Sequence, residues 1–100
     1  MANDMQNDSS FSSVHERLKA TLARNVMLAR RAKFLNQGEL AERANHTRQT
    51  LAEIETGVAD PSLSTIVDFA NALNINPFML LLGDGDFSLL VEMSEELRVK

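Results

Sequence analysis

The stretch Asn36–Gly57, NQGELAERANHTRQTLAEIETG, decides the fold of this 100-residue chain. Its local signals predict two short helices separated by a sharp turn. Asn36 is a favourable N-cap for the first helix, and Glu39, three residues later, completes a capping-box pair. Apolar side chains from Leu40 to Ala44 then recur at helical spacing, which gives this helix one face that can pack into a core.

The turn and the second helix are marked just as clearly. Asn45 stands where the chain must reverse, and asparagine is the residue other than glycine that best tolerates a left-handed backbone. Thr47 can cap the second helix by accepting a hydrogen bond from a backbone N–H group. Gly57 can end that helix, because glycine adopts the positive φ of a C-terminal cap without strain.

The second helix has one apolar face and one polar face. At about 100° per residue, Thr50, Leu51 and Ile54 share the side that can pack inward. The outward set is Arg48, Gln49, Ala52 and Glu53. Arg48 lies in the first turn, where the helix dipole disfavours a cation by roughly 0.3–1 kcal/mol, and such a placement hints at function. Arginine and glutamine also read guanine and adenine edges in the major groove, so the pattern is typical of a DNA-binding helix-turn-helix.

These residues resemble the lambda-repressor-like (Xre/Cro) helix-turn-helix family of prokaryotic and phage regulators over about residues 14–83. The matching residues are Arg30, Gln37, Leu40-Ala41, Thr47, Ile54-Glu55, Gly57, Pro61-Ser62, Ala70, Ala72-Leu73 and the apolar run after Pro77. Asn45 replaces the usual turn glycine, and His46 replaces a small apolar residue. The resemblance implies an all-α domain of five helices that binds a specific DNA sequence.

Three segments are predicted. Residues 1–12 are polar and are expected to form a flexible N-terminal arm, with Ser13 capping the first helix. Residues 13–83 form the helix-turn-helix domain, with helices over about 13–33, 37–44, 48–56 and 63–73 and a fifth from Asn76-Pro77. Residues 84–100 form a C-terminal tail, for which a helix is favoured over a strand. The tail can fold back onto its own domain or pair with a second subunit, and we favour dimerisation.

Charge is distributed unevenly along the chain. The net charge is -4, but residues 14–83 carry eight lysines and arginines against seven aspartates and glutamates, which gives +1. The acidity therefore lies in the two ends. A near-neutral domain has little nonspecific attraction to phosphate, so binding to DNA should depend on specific contacts and on dimerisation.

Several function classes are disfavoured by composition. There are no cysteines, so disulfides and thiolate metal sites are excluded. His15 and His46 have no partners at ligand spacing along the chain, and no metal or cofactor is expected. We find no nucleophile–base pair or phosphate loop, so an enzyme is not expected. No apolar run approaches membrane-spanning length and no secretion signal is evident, so we expect a cytoplasmic protein without membrane contact.

The candidate site residues fall into three groups. Base readout is assigned to Arg48, Gln49, Ala52 and Glu53, although the same face can be an ordinary solvated surface with Gln49 and Glu53 paired at i,i+4. Contacts to the DNA backbone are assigned to Gln37, Gly38, Thr47, Thr56 and Ser62. The resemblance implies that Arg30 and Glu55 form an internal ion pair that is structural.

The sequence thus predicts a regulator that binds double-stranded DNA, acting as a repressor or autoregulator and as a dimer on a two-fold operator. One alternative is an antitoxin that represses its own operon and binds a toxin. Another is a protein-interaction module that uses the same fold without DNA.

Overall fold

The chain forms a short series of helices, which a computed structural model describes for residues 2–83, with side chains for residues 14–83. The α-helices are α1 (Ala2–Ala32), α2 (Gln37–Arg43), α3 (Arg48–Glu55) and α4 (Leu63–Leu73). A 3₁₀ helix, Pro77–Leu81, follows α4. The all-α class is confirmed, and the predicted tail 84–100 lies outside the described residues. No helix in the described part of the chain is both long enough and apolar enough to cross a membrane.

Two details differ from the sequence-based expectation. The described residues hold four α-helices, because the predicted fifth is the 3₁₀ helix. It spans only five residues, and Leu82 after it is already extended, which is typical of the short segments in which 3₁₀ helices occur. Helix α1 begins at Ala2 rather than at Ser13. The chain has no glycine or proline before Gly38, so nothing in its backbone chemistry interrupts the helix there.

The helix starts that the sequence predicts after Ser13 are confirmed. Asn36 accepts from the backbone N–H of Glu39, whose carboxylate accepts from the N–H of Asn36 in return, which forms the capping box. Thr47 and Ser62 cap α3 and α4 in the same way, each accepting from the N–H three residues later. Asn76 caps the 3₁₀ helix ahead of its first-turn proline. Local side chains therefore set where each of these helices begins.

The helix ends use left-handed backbone where the sequence predicts it. Asn45, between α2 and α3, has φ 61°, and Gly57, just after α3, has φ 79°. A Cβ added at Gly57 would meet nothing within 4 Å, so its backbone angle, not crowding, favours glycine there. Asn74 ends α4 in the same conformation with φ 59°. Phe34, after α1, has φ 58°, which the sequence did not indicate.

The core lies where the five helical elements converge. Leu40 of α2 and Leu51 of α3 are fully enclosed, as are Phe69 and Leu73 of α4 and Leu80 of the 3₁₀ helix. Helix α1 adds Leu22 and Val26 to the same cluster. The core thus packs against one side of α3, and the other side of α3 faces solvent.

Asn25 fastens the 3₁₀ helix to α1. Its side-chain amide lies 3.0 Å from the carbonyl oxygen of Leu80 and 2.9 Å from that of Leu82, with that of Met79 at 3.3 Å. A single amide NH₂ group therefore serves the carbonyl groups at the end of the 3₁₀ helix, which have no helical partners of their own.

Replacing Asn25 with alanine should lower the free energy of unfolding by about 1–3 kcal/mol, because partly buried carbonyls lose their donor. The midpoint of urea denaturation would measure the change. Asn71→Ala, at an exposed position of α4, is the matched control and should shift the midpoint far less. Equal shifts for the two variants would contradict an anchoring role for Asn25.

Candidate nucleic-acid interface

The turn between α2 and α3 is held by backbone hydrogen bonds. The N–H of Asn45 donates to the carbonyl of Glu42 at 3.1 Å, and that of His46 donates to the carbonyl of Ala41 at 2.9 Å. Thr47 then starts α3 by accepting from the N–H of Thr50 at 3.1 Å. These hydrogen bonds hold the two helices in a fixed relative orientation.

Helix α3 divides into two faces as the sequence predicts. Leu51 and Ile54 are buried in the core, and Thr50 is half-buried. Arg48, Gln49 and Glu53 are exposed, and Ala52 between them is half-buried. The four predicted base-reading residues thus lie on one accessible surface, which we call the α3 outer face.

Two of the residues on the α3 outer face are bonded to each other. The amide nitrogen of Gln49 donates to a carboxylate oxygen of Glu53 at 3.3 Å, which is the i,i+4 pairing of an ordinary solvated helix surface. Because the pair is exposed, it is worth only a few tenths of a kcal/mol and opens readily. Arg48 has no hydrogen-bond or ion-pair partner among the described residues, so its guanidinium group is available to a ligand.

A buried ion pair holds α3 against α1. The guanidinium of Arg30 meets the carboxylate of Glu55 through two parallel bonds, Nε to Oε2 at 2.7 Å and Nη2 to Oε1 at 2.9 Å. The side chains are only 11% and 5% exposed. This paired geometry is the strongest that arginine and a carboxylate form, and it matches the internal pair implied by the family resemblance.

Arg30 also grips the turn that follows α1. Its Nη1 donates to the carbonyl of Leu35 at 2.8 Å. The hydrogen bond to Glu55 raises the pKa of Arg30 above its ordinary value, against the opposing effect of burial. The Arg30 guanidinium therefore stays charged beside the Glu55 carboxylate.

Gln37 joins the same cluster from the first residue of α2. Its amide nitrogen donates to Oε1 of Glu55 at 3.1 Å. The sequence predicted a contact from Gln37 to the DNA backbone but gave no sign of this internal partner, because the two residues are 18 positions apart. Arg30, Gln37 and Glu55, with the Leu35 carbonyl, thus form a four-membered cluster that links α1, α2 and α3.

The other predicted backbone-contact residues lie at helix ends. Thr47 and Ser62 are exposed and use their hydroxyl oxygens in N-caps, while the Thr56 hydroxyl donates to the carbonyl of Glu53 at 3.1 Å. At Gly38 an added Cβ would lie 3.4 Å from Oδ1 of Asn36, an ordinary contact. Neither space nor backbone angle therefore requires glycine at position 38.

Each histidine has one carboxylate partner that sequence spacing did not reveal. His46 places Nε2 2.9 Å from Oδ2 of Asp68 and stacks its ring on Phe69, with ring centroids 5.1 Å apart. It thereby ties the turn to α4. His15 lies 3.0 Å from Asp60. Among the described residues, no group of three or more histidines, aspartates or glutamates is placed to hold a metal ion.

The family model HTH_3, described as helix-turn-helix, matches residues 26–80. This range contains α2, the turn and α3. The chain belongs to this family. In helix-turn-helix terms, α3 is the second helix of the motif, the one that enters the major groove in proteins of this architecture.

A known relative of this helix-turn-helix chain is the immunity repressor protein of Bacillus phage phi105. The two are 35% identical over 80 residues, which cover 80% of the chain and 54% of the repressor. The chain therefore spans about half the length of that relative.

Solved structures of other proteins share the fold. The hypothetical transcription factor NHTF from Neisseria is 33% identical with a TM-score of 0.68, over 73% of this chain and 84% of that one. The restriction-modification controller protein C.AhdI from Aeromonas hydrophila is 31% identical with a TM-score of 0.61, over 62% and 94% of the two chains.

Replacing Arg30 with methionine should destabilise the helix-turn-helix domain by about 3–5 kcal/mol, because the Glu55 carboxylate would be left buried without its partner. Thermal denaturation would measure the loss. Arg31→Met, which removes a neighbouring exposed cation, is the matched control and should leave the melting temperature nearly unchanged.

The double variant Arg30→Met with Glu55→Met should recover much of this loss, because it removes both charges together. A single variant as stable as the wild type would show that the pair contributes nothing to the fold.

Proposed function

We propose that this protein is a transcriptional regulator that binds a specific sequence of double-stranded DNA, as a repressor or autoregulator. The observation that carries the proposal is the α3 outer face: exposed donors and acceptors on a helix whose other side is fully packed. Leu51 and Ile54 hold that helix from behind, and the Arg30–Glu55 pair holds its end. A reader of base edges needs this combination of accessible polar groups and a rigid support.

The relatives support the same class of function. The phi105 protein is named an immunity repressor, and C.AhdI is named a restriction-modification controller. Both match this chain at more than 30% identity. Their names describe regulation, and we extend that role to this chain.

The chemistry of the α3 outer face suggests how bases are read. Arg48 presents a free guanidinium, which can donate two hydrogen bonds to O6 and N7 of guanine. Gln49 can release Glu53 and pair with adenine, since the exposed bond between them is weak. Ala52 offers a methyl group to thymine, and Glu53 can accept from the amino group of cytosine.

In this proposal the DNA backbone is contacted by residues at the ends of α2, α3 and α4. They are Gln37, Gly38, Thr47, Thr56 and Ser62. Gln37 is held by Glu55 through only one of its amide hydrogens, so its second hydrogen can reach a phosphate. The local structure does not require glycine at position 38, and a residue without a side chain there is consistent with close approach of a ligand.

A second copy completes the site in this proposal, because an operator with two-fold symmetry is read by a two-fold dimer. An apolar groove between α4 and the 3₁₀ helix supports it. Its lining includes Leu63, Val67 and Phe78, and Leu63 and Phe78 are 76% and 61% exposed. The sequence after Gly83 includes Phe87, Leu89, Leu90 and Val91, apolar residues that suit a contact between copies.

Selection of bound duplexes from a random DNA pool tests the proposal. The wild type should enrich a palindromic motif, and Arg48→Ala should change the motif at one symmetric base pair, with a loss of about 1–3 kcal/mol for the original base. Arg17→Ala removes the same charge from an exposed site on α1 and should leave the motif unchanged.

Enrichment of no motif, even at low salt, would contradict DNA reading. The near-neutral charge of the domain would then favour the protein-interaction module, and co-purification with a small partner would favour an antitoxin. A motif that Arg48→Ala leaves unaltered would remove Arg48 from the readout.

Phe78→Glu should raise the dimer dissociation constant at least tenfold, because a carboxylate in the groove would have to be desolvated on assembly. Sedimentation equilibrium would measure it. Val58→Glu is the control, since Val58 is 71% exposed but does not line the groove. An unchanged monomer–dimer equilibrium in Phe78→Glu would place the dimer contact elsewhere.

A further inference from the structure

Phe34 combines two features that are unusual for a phenylalanine, high exposure and a positive φ. Its side chain is 93% exposed, more than any other large apolar residue of the described chain, and its φ is 58°. The backbone caps α1 around it: the N–H of Phe34 donates to the carbonyl of Arg31 at 3.0 Å, and that of Leu35 donates to the carbonyl of Arg30 at 3.1 Å. This cap requires the left-handed conformation, which large side chains disfavour.

The other positions with positive φ are occupied by different types of residue. The remaining described residues with positive φ are Asn45, Asn74 and Gly57, all of types that tolerate this conformation. Phe34 is the exception, and it contributes nothing to the core. A strained residue that adds nothing to the core is a reason to look for a function.

The position of Phe34 is fixed relative to the helix-turn-helix motif. The carbonyl of the next residue, Leu35, is held by Arg30, which in turn grips Glu55 at the end of α3. Gln37, three residues beyond Phe34, is bonded to the same carboxylate. The ring is therefore displayed from a rigid turn beside Gln37, which the proposed function places at the DNA backbone.

The charge around the ring favours an anionic partner. Residues 30–37, RRAKFLNQ, carry three cations and no acid. Glu55 neutralises Arg30, whereas Arg31 and Lys33 are exposed and precede Phe34 by three residues and one residue. Two exposed cations and an exposed aromatic ring within four residues offer partners for the phosphates and the deoxyriboses of a DNA strand.

We propose that Arg31, Lys33 and Phe34 form a backbone clamp on duplex DNA, in which the cations meet phosphates and the ring packs on deoxyribose. This inference rests on the proposed function, because it takes DNA as the partner, but it concerns affinity and not sequence reading. The clamp contacts no base edge, so it strengthens binding to every sequence alike. It also gives a near-neutral domain a local source of attraction to phosphate.

Phe34→Gly distinguishes a role in DNA binding from a role in folding, because it should make the protein more stable while it weakens DNA binding. Relief of the left-handed strain should raise the melting temperature by about 4–8 °C. Loss of the ring should weaken binding by about tenfold, for the selected motif and for an unrelated duplex alike. Fluorescence anisotropy with both duplexes, together with thermal denaturation, provides the two readouts.

Asn74→Gly is the matched control. It places glycine at another exposed left-handed position, φ 59°, at the end of α4. It should leave DNA affinity unchanged. Phe34→Tyr keeps the ring and should retain most of the wild-type affinity.

The salt dependence of DNA affinity tests whether Arg31 and Lys33 contact phosphates. Replacing Arg31 and Lys33 together with glutamine should reduce the slope of log affinity against log salt by about 1.8, since each lost phosphate contact removes about 0.9. An unchanged slope would show that the two cations do not contact phosphate and would overturn this part of the clamp.

The outcomes distinguish the clamp from the proposed function. If the wild type selects a motif and Phe34→Gly binds it equally well, the clamp is wrong and the regulator stands. If no motif is enriched but duplex affinity falls in Phe34→Gly, the clamp stands and base reading is wrong. A wild type that binds no duplex at low salt overturns both. A loss confined to dimerisation, seen by sedimentation, would assign Phe34 to a protein contact and overturn the clamp.

Discussion

The ion pair between Arg30 and Glu55 is the constraint on which the rest of the structure depends. It joins the end of α1 to the end of α3 across a sequence separation of 25 residues, and its two parallel bonds fix direction as well as distance. The hydrogen bonds of Leu35 and Gln37 to the same cluster extend the constraint to α2. The core alone would bury α3, whereas this cluster sets the angle at which its outer face is presented.

Glu55 also connects the fold to the ligand. Its Oε1 receives donors from both Arg30 and Gln37, so the carboxylate is satisfied even when one donor leaves. Under the proposed function, Gln37 can therefore turn toward a phosphate while the charge of Glu55 stays compensated by Arg30. DNA binding would then move the Gln37 side chain without breaking the Arg30–Glu55 pair that supports α3.

The sequence predicted most of what depends on near neighbours in the chain. The caps at Asn36, Thr47 and Ser62 and the left-handed turn at Asn45 act within a few residues, so residue type and spacing suffice to find them. The Gln37–Glu55 bond and the stacking of His46 on Phe69 join distant segments and left no local signal. Helix α1 begins at Ala2 and not at Ser13, because a polar composition does not by itself prevent a helix from forming. Phe34 was missed because its strain becomes visible only once the end of α1 is located.

The local character of the caps has a consequence for how quickly the protein forms. Side chains at Asn36, Thr47, Ser62 and Asn76 begin their helices with partners two or three residues away, so these starts require no distant contact. Chains dominated by such short-range contacts fold in roughly microseconds to milliseconds. Helices α2, α3 and α4, of 7, 8 and 11 residues, are too short to be stable alone, so a newly synthesised copy gains lasting helices only when the core and the Arg30–Glu55 bond have formed.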